Sequence, residues 1–142
     1  MSKLSIYNTL EKCVEFEKKE HRIEALRANG NPAMWAVLRY MFDSNIKFLL
    51  PKGDPPFEPL EFDEPGRLYT EARKLYLFIE GGHATITQMK RESLFISLLE
   101  NINKEEAKLL LAMKEKKSPF RRLNRNLVIT AFPGLLSDEQ AN

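Results

Sequence analysis

The sequence predicts an all-α fold, a compact bundle of about seven short helices carrying one long loop. Three observations predict it. Apolar residues recur at helical spacing along nearly the whole chain, stop signals such as Asn29–Gly30 and Gly81–Gly82 separate the apolar runs, and no segment alternates convincingly. IKFLL, from Ile46 to Leu50, is the sole strand candidate, and it is short.

Taken in order, Ile6, Leu10, Cys13 and Val14 form a first apolar face behind a Ser5 cap. Phe16, Ile23 and Leu26 continue on a second helix that ends at Asn29–Gly30. Pro32 suits a first helical turn, and Met34, Val37, Leu38, Met41 and Phe42 make the third face. Five prolines between Pro51 and Pro65 then exclude a helix and predict a surface loop. Leu68, Ala72, Leu75, Tyr76 and Ile79 resume the helical pattern, followed by Ile86, Met89, Leu94, Ile96, Leu98 and Leu99 on the next helix. Asn103 with Glu106 reads as a capping box for a helix through Met113, and Asn124 caps a last helix through Ala131. The tail, about residues 137–142, reads as polar and frayed.

With 142 residues, 43% hydrophobic and 30% charged, the chain suits a single domain spanning 1–142 with one real core. No stretch approaches the length of a membrane span and no leader is legible, so a cytoplasmic setting without a membrane partner is expected. The single cysteine, Cys13, lies on an apolar face and reads as a small core residue. His21 sits in a charged helix and His83 in a turn after a helix stop. Trp35, Phe42, Phe78 and Phe95 fall at core spacing. Lys52–Gly53–Asp54 has the wrong order for a nucleotidyltransferase lysine motif, and neither a phosphate-cradling glycine loop nor a metal-ligand spacing is present. A non-enzyme without a cofactor, metal or small-molecule substrate is expected.

Charge is unevenly placed. From Lys114 to Arg125 there are six basic residues and one acid, a net +5, so the rest of the chain is −3. Gly53 to Pro65 carries five acids (Asp54, Glu58, Glu61, Asp63, Glu64) and no base. The basic stretch is a hinge between two helices, where cations can complement a helix C-terminus or, beside the next helix N-terminus, hold phosphate oxygens. SNIKFLL (residues 44–50) and SPFRRLN (residues 118–124) each follow an apolar helix and share a Ser, an apolar third position, a base and a leucine, a faint internal repetition.

The helix-hinge-helix from Asn103 through KEKKSPFRRL to the closing AlaPheProGlyLeuLeu resembles the helical N-terminal DNA-binding domain of ATP-dependent DNA ligases of T-even-like phages. VLRYMFDSNIKFLLP resembles that family's other helix-and-turn element, and the likeness in helix order extends over about residues 5 to 136. The chain is also similar to small uncharacterised proteins of cyanobacterial T-even-like phages, which implies an infected bacterial cytoplasm. The family's turn usually carries a glycine; here Ser118–Pro119–Phe120 stands in its place. The ligases' adenylation and OB domains have no counterpart, so the resemblance implies an accessory protein without ligase activity. It implies grip on duplex DNA through phosphates and minor-groove shape, in replication or repair. The residues implied are Lys114, Lys116, Lys117, Ser118, Arg121, Arg122, Asn124 and Arg125 on the hinge, with Asn45, Lys47 and Lys52 as a second contact. The alternative is a protein-interaction module that docks the same scaffold on a host or phage replication or transcription protein.

Overall fold

The computed structural model describes residues 5–58, 60, 67–83 and 85–138. Seven α-helices and one 3₁₀ segment make up its regular structure: α1 Ile6–Cys13, α2 Lys19–Asn29, α3 Pro32–Phe42, α4 Arg67–Glu71, a 3₁₀ segment Ala72–Phe78, α5 Gln88–Glu100, α6 Lys104–Lys114 and α7 Arg125–Ala131. The described residues contain no strand; the all-α fold class stands. IKFLL supplies one half of an isolated antiparallel bridge, Phe48 opposite Ile79. Leu49 N–H donates to Phe78 O and Glu80 N–H to Lys47 O, each at 2.8 Å. None of the helices described is long and apolar enough to cross a membrane.

Side-chain caps set most of the helix starts. Ser5, Asn31, Thr87, Asn103 and Asn124 each accept a hydrogen bond from the backbone N–H three residues on, removing an orphan donor from the first turn. The central pair is α3 and α6, two helices of 11 residues that both begin on a capping asparagine. Against this pair lie α1, backed by α2 and α7, and the α4–3₁₀–α5 segment. The core is built mainly of apolar side chains: Leu10, Leu26, Met34, Leu38, Leu68, Leu75 and Leu99 are fully enclosed, and Phe78 meets Phe95 edge to face at 5.2 Å. Cys13 is buried, and burial pushes its thiol pKa up, as an inert core residue should behave.

Several apolar positions depart from the expected faces. Tyr76 is 45% exposed because residues 72–78 wind as 3₁₀, whose three-residue turn directs Ala72, Leu75 and Phe78 inward instead. Met89 is 84% exposed and Ile86 precedes α5, whose buried face is Arg91, Phe95, Leu98 and Leu99. Arg91 is accommodated there by donating to Leu77 O and Gln88 Oε1. Phe16 lies ahead of α2 and is exposed, as is Trp35, which stands edge to face with Phe132 at 6.3 Å. Gly30 ends α2 without a left-handed φ; its reason is space, since a Cβ there would meet Trp35 Nε1 at 2.9 Å and Phe132 at 3.2 Å.

The proline-rich segment runs without helix from Pro51 to Glu58, and its acids Glu61, Asp63 and Glu64 lie outside the described residues. Its first half is fastened to the bundle. Glu115 accepts from Gly53 N–H at 3.1 Å and Glu100 accepts from Glu58 N–H at 2.9 Å. The tail is held as far as it is described: Ser137 and Asp138 bind the end of α3, and residues 139–142 lie outside the described residues.

Candidate nucleic-acid interface

The hinge begins where α6 stops. Glu115 caps the helix and Lys116 follows at φ 58°, in the left-handed region. Lys117 N–H then reaches back to Ala112 O (2.9 Å) and Lys116 N–H to Met113 O (3.0 Å), the paired bonds of a Schellman stop that usually employs glycine. A lysine tolerates the strained position because its side chain is engaged. Its ammonium donates to Tyr40 O and to Asp43 O (2.8 Å) at the carbonyl end of α3, and lies 5.7 Å from the centre of the Phe48 ring. Burial of that ammonium lowers its pKa, against the pull of Asp43 and Asp138. Comparing two truncations isolates the backbone cost: Lys116→Gly should be more stable than Lys116→Ala by about 1 kcal/mol in urea unfolding. Equal stabilities would show that the left-handed residue is unstrained.

Most other hinge cations also reach carbonyl oxygens elsewhere in the bundle. Lys114 is 6% exposed, and its Nζ donates to Pro51 O (2.8 Å) and Gly53 O (2.9 Å) while pairing with Glu115. The Lys114 ammonium, with the Gly53 N–H, holds the Glu115 carboxyl below its ordinary range. Ser118 Oγ closes the turn on itself, donating to Phe120 O and accepting from Phe120 N–H, and Phe120 packs on Tyr7 of α1 at 4.9 Å. Arg122 crosses to Glu15 O and Phe16 O, both at 3.1 Å. Asn124 caps α7 through its Oδ1, and Arg125 pairs with Asp138 at 2.9 Å. Lys117 and Arg121 are exposed, with no side-chain hydrogen bond or ion pair among the described residues.

The second predicted contact, the turn after α3, faces the start of the hinge. An open groove of about 630 Å³ is lined on one wall by Ser44, Ile46, Lys47, Phe48 and Lys52, and on the other by Lys114, Glu115, Lys116 and Arg125. Five cations and one acid therefore border a single concavity. Lys47 and Lys52 are exposed there; Asn45 is turned aside, its amide donating to Ser137 Oγ at 3.0 Å.

Beneath the groove is a polar assembly that sequence reasoning missed. Asp43, fully buried, accepts from Ser137 N–H and Ser137 Oγ, both at 2.7 Å, and from Asn45 N–H at 2.9 Å. Reciprocally, Asp138 accepts from Ser44 N–H (2.9 Å) and Ser44 Oγ (2.5 Å). The mirrored dipeptides Asp43–Ser44 and Ser137–Asp138 were the available signal. Burial pushes both carboxyls up, but the hydrogen bonds outweigh it: Asp43 falls below its ordinary range and Asp138, helped by Arg125, falls to about 2.

Compared with known families, residues 9–118 match a family described as DUF6433, a family of unknown function. The chain belongs to that family. The match runs from within α1 through α6 and into the basic hinge as far as Ser118, so it includes the turn after α3 and both walls of the groove except Arg125. No curated protein and no solved structure matches the chain. Among the described residues, no group of three or more His, Cys, Asp or Glu side chains is placed to hold a metal ion.

Proposed function

We propose that the chain is a non-catalytic accessory protein, in the phage setting the resemblance implies, that binds duplex DNA through backbone phosphates and minor-groove shape. The observation that carries this reading is the shared groove, in which the turn after α3 and the basic hinge present cations toward one space. A helix surface and a turn contributing charge from two sides suits a rod of phosphates, and such binding releases counterions and weakens with salt. The working cations on this reading are those with open ammonium or guanidinium groups, Lys47, Lys52, Lys117 and Arg121. Lys114, Lys116 and Arg125 set the field and shape of the groove from fixed positions.

Fluorescence anisotropy with nicked and intact duplexes over a salt series tests it. Wild type should bind with affinity that falls with salt, and Lys47→Gln with Lys52→Gln should make the log–log slope shallower by about 0.9 for each phosphate no longer neutralised. Absence of binding to both duplexes at low salt would overturn the proposal. A protein-docking role is the second reading, favoured by the exposed Trp35. With Arg27, Ala131, Phe132, Pro133 and Leu135 it borders a shallow, mostly apolar depression of about 530 Å³ that shares no lining residue with the basic groove.

A further inference from the structure

We propose that Arg22 and Arg122 form a phosphate clamp at the α1–α2 junction, occupied by a backbone phosphate of the same bound duplex. The proposal rests on the duplex-binding reading. Arg22, from α2, donates through one terminal nitrogen to Phe16 O (2.7 Å) and Glu17 O (2.8 Å). Arg122, from the hinge, donates through one terminal nitrogen to Glu15 O and Phe16 O. Because both hold the Phe16 oxygen, the two cationic nitrogens lie within about 6 Å of each other, close enough to repel.

No carboxylate pairs with either guanidinium among the described residues, although Glu15, Glu17 and Glu20 are exposed nearby on the same junction. Arg22 Nε is enclosed and has no acceptor. Two like charges converging on one carbonyl oxygen, with no carboxylate between them, describe a surface site short of an anion. Each guanidinium offers five donors in a planar fork, and the carbonyls occupy only one nitrogen of each, so the remaining donors suit an anion with several acceptor oxygens.

A phosphodiester is favoured over an acidic peptide by continuity. Arg122 is joined to the exposed Arg121 on the hinge whose other end borders the cationic groove, so one extended polyanion can engage both places. Phe16, whose carbonyl both arginines share, is exposed, with its ring edge-on to His21 at 6.1 Å.

The test compares Arg22→Gln/Arg122→Gln with Lys47→Gln/Lys52→Gln in duplex anisotropy over a salt series. Loss of the clamp should make the slope shallower by about 0.9, and Arg22→Lys/Arg122→Lys should restore it. An unchanged slope in the Gln pair, with Lys47→Gln/Lys52→Gln still weakening binding, would overturn the clamp and leave the groove. No binding by the wild type at low salt would overturn both. Should the Gln pair fail to fold by circular dichroism, the wild-type arginine Nε–H NMR signals decide. Those of Arg22 and Arg122 should move when a short duplex is added. Signals that stay fixed, or that move with an oligoglutamate peptide and not with duplex, would reject the phosphate assignment.

Discussion

Lys114→Ala is expected to destabilise the protein by about 3 kcal/mol, measured by urea unfolding. The ammonium is nearly enclosed and satisfies two carbonyl oxygens, Pro51 O and Gly53 O, besides its pairing with Glu115. Removing it leaves those two oxygens without their donor and one carboxylate without its cation. Lys114→Met keeps most of the stem and should recover part of the packing but none of the polar satisfaction. In both variants the Glu115 pKa should rise toward the ordinary carboxylate range, since the Lys114 hydrogen bond is the largest influence holding it down. A stability loss below about 1 kcal/mol, of the size typical for surface pairs, would mean that water replaces the ammonium at little cost.

Acid should act on the paired aspartates below the groove. Asp138 has a folded pKa of about 2 against an ordinary value near 3.8, so the folded form binds its proton less readily than the unfolded chain. The stabilisation is therefore complete above about pH 4 and is lost as pH falls toward 2, amounting to roughly 2 kcal/mol. Asp43 is lowered as well and adds in the same direction. Asp43→Ala should cost about 3 kcal/mol at neutral pH, because Ser137 N–H, Ser137 Oγ and Asn45 N–H lose their common acceptor. It should also flatten the acid limb of a stability-against-pH profile. An acid limb of wild-type steepness in Asp43→Ala/Asp138→Asn would place the acid sensitivity elsewhere.

The fold was largely legible because helix periodicity and caps are local signals. Ser5, Asn103 and Asn124 announce their helices within three or four residues, and the apolar runs of α1, α3, α6 and α7 map onto those helices with little shift. The 3₁₀ segment was misread because Leu75 and Tyr76 both fit a 3.6-residue period, and only tertiary contact decides that Phe78 turns in. The site was legible in part. A cluster of lysine and arginine is visible in any sequence, and its meeting with the turn after α3 follows from two similar helices lying side by side. The destination of each cation was not visible. Lys114, Lys116, Arg122 and Arg125 bind carbonyls or a carboxylate 13 to 107 positions away, and no spacing rule encodes such partners.

The reciprocal Asp–Ser bonds join positions 94 residues apart in sequence. A contact of that span must close most of the chain into a loop before it returns any energy, whereas α1–α2 pairing and the α6 hinge form from neighbours. On that ordering the Asp–Ser bonds are expected to form late in folding, so Asp43→Ala should speed unfolding more than it slows folding, as a chevron plot would show. Interactions formed that late chiefly govern how fast the native state opens, so these two aspartates should set the lifetime of the folded groove more than the cations that line it.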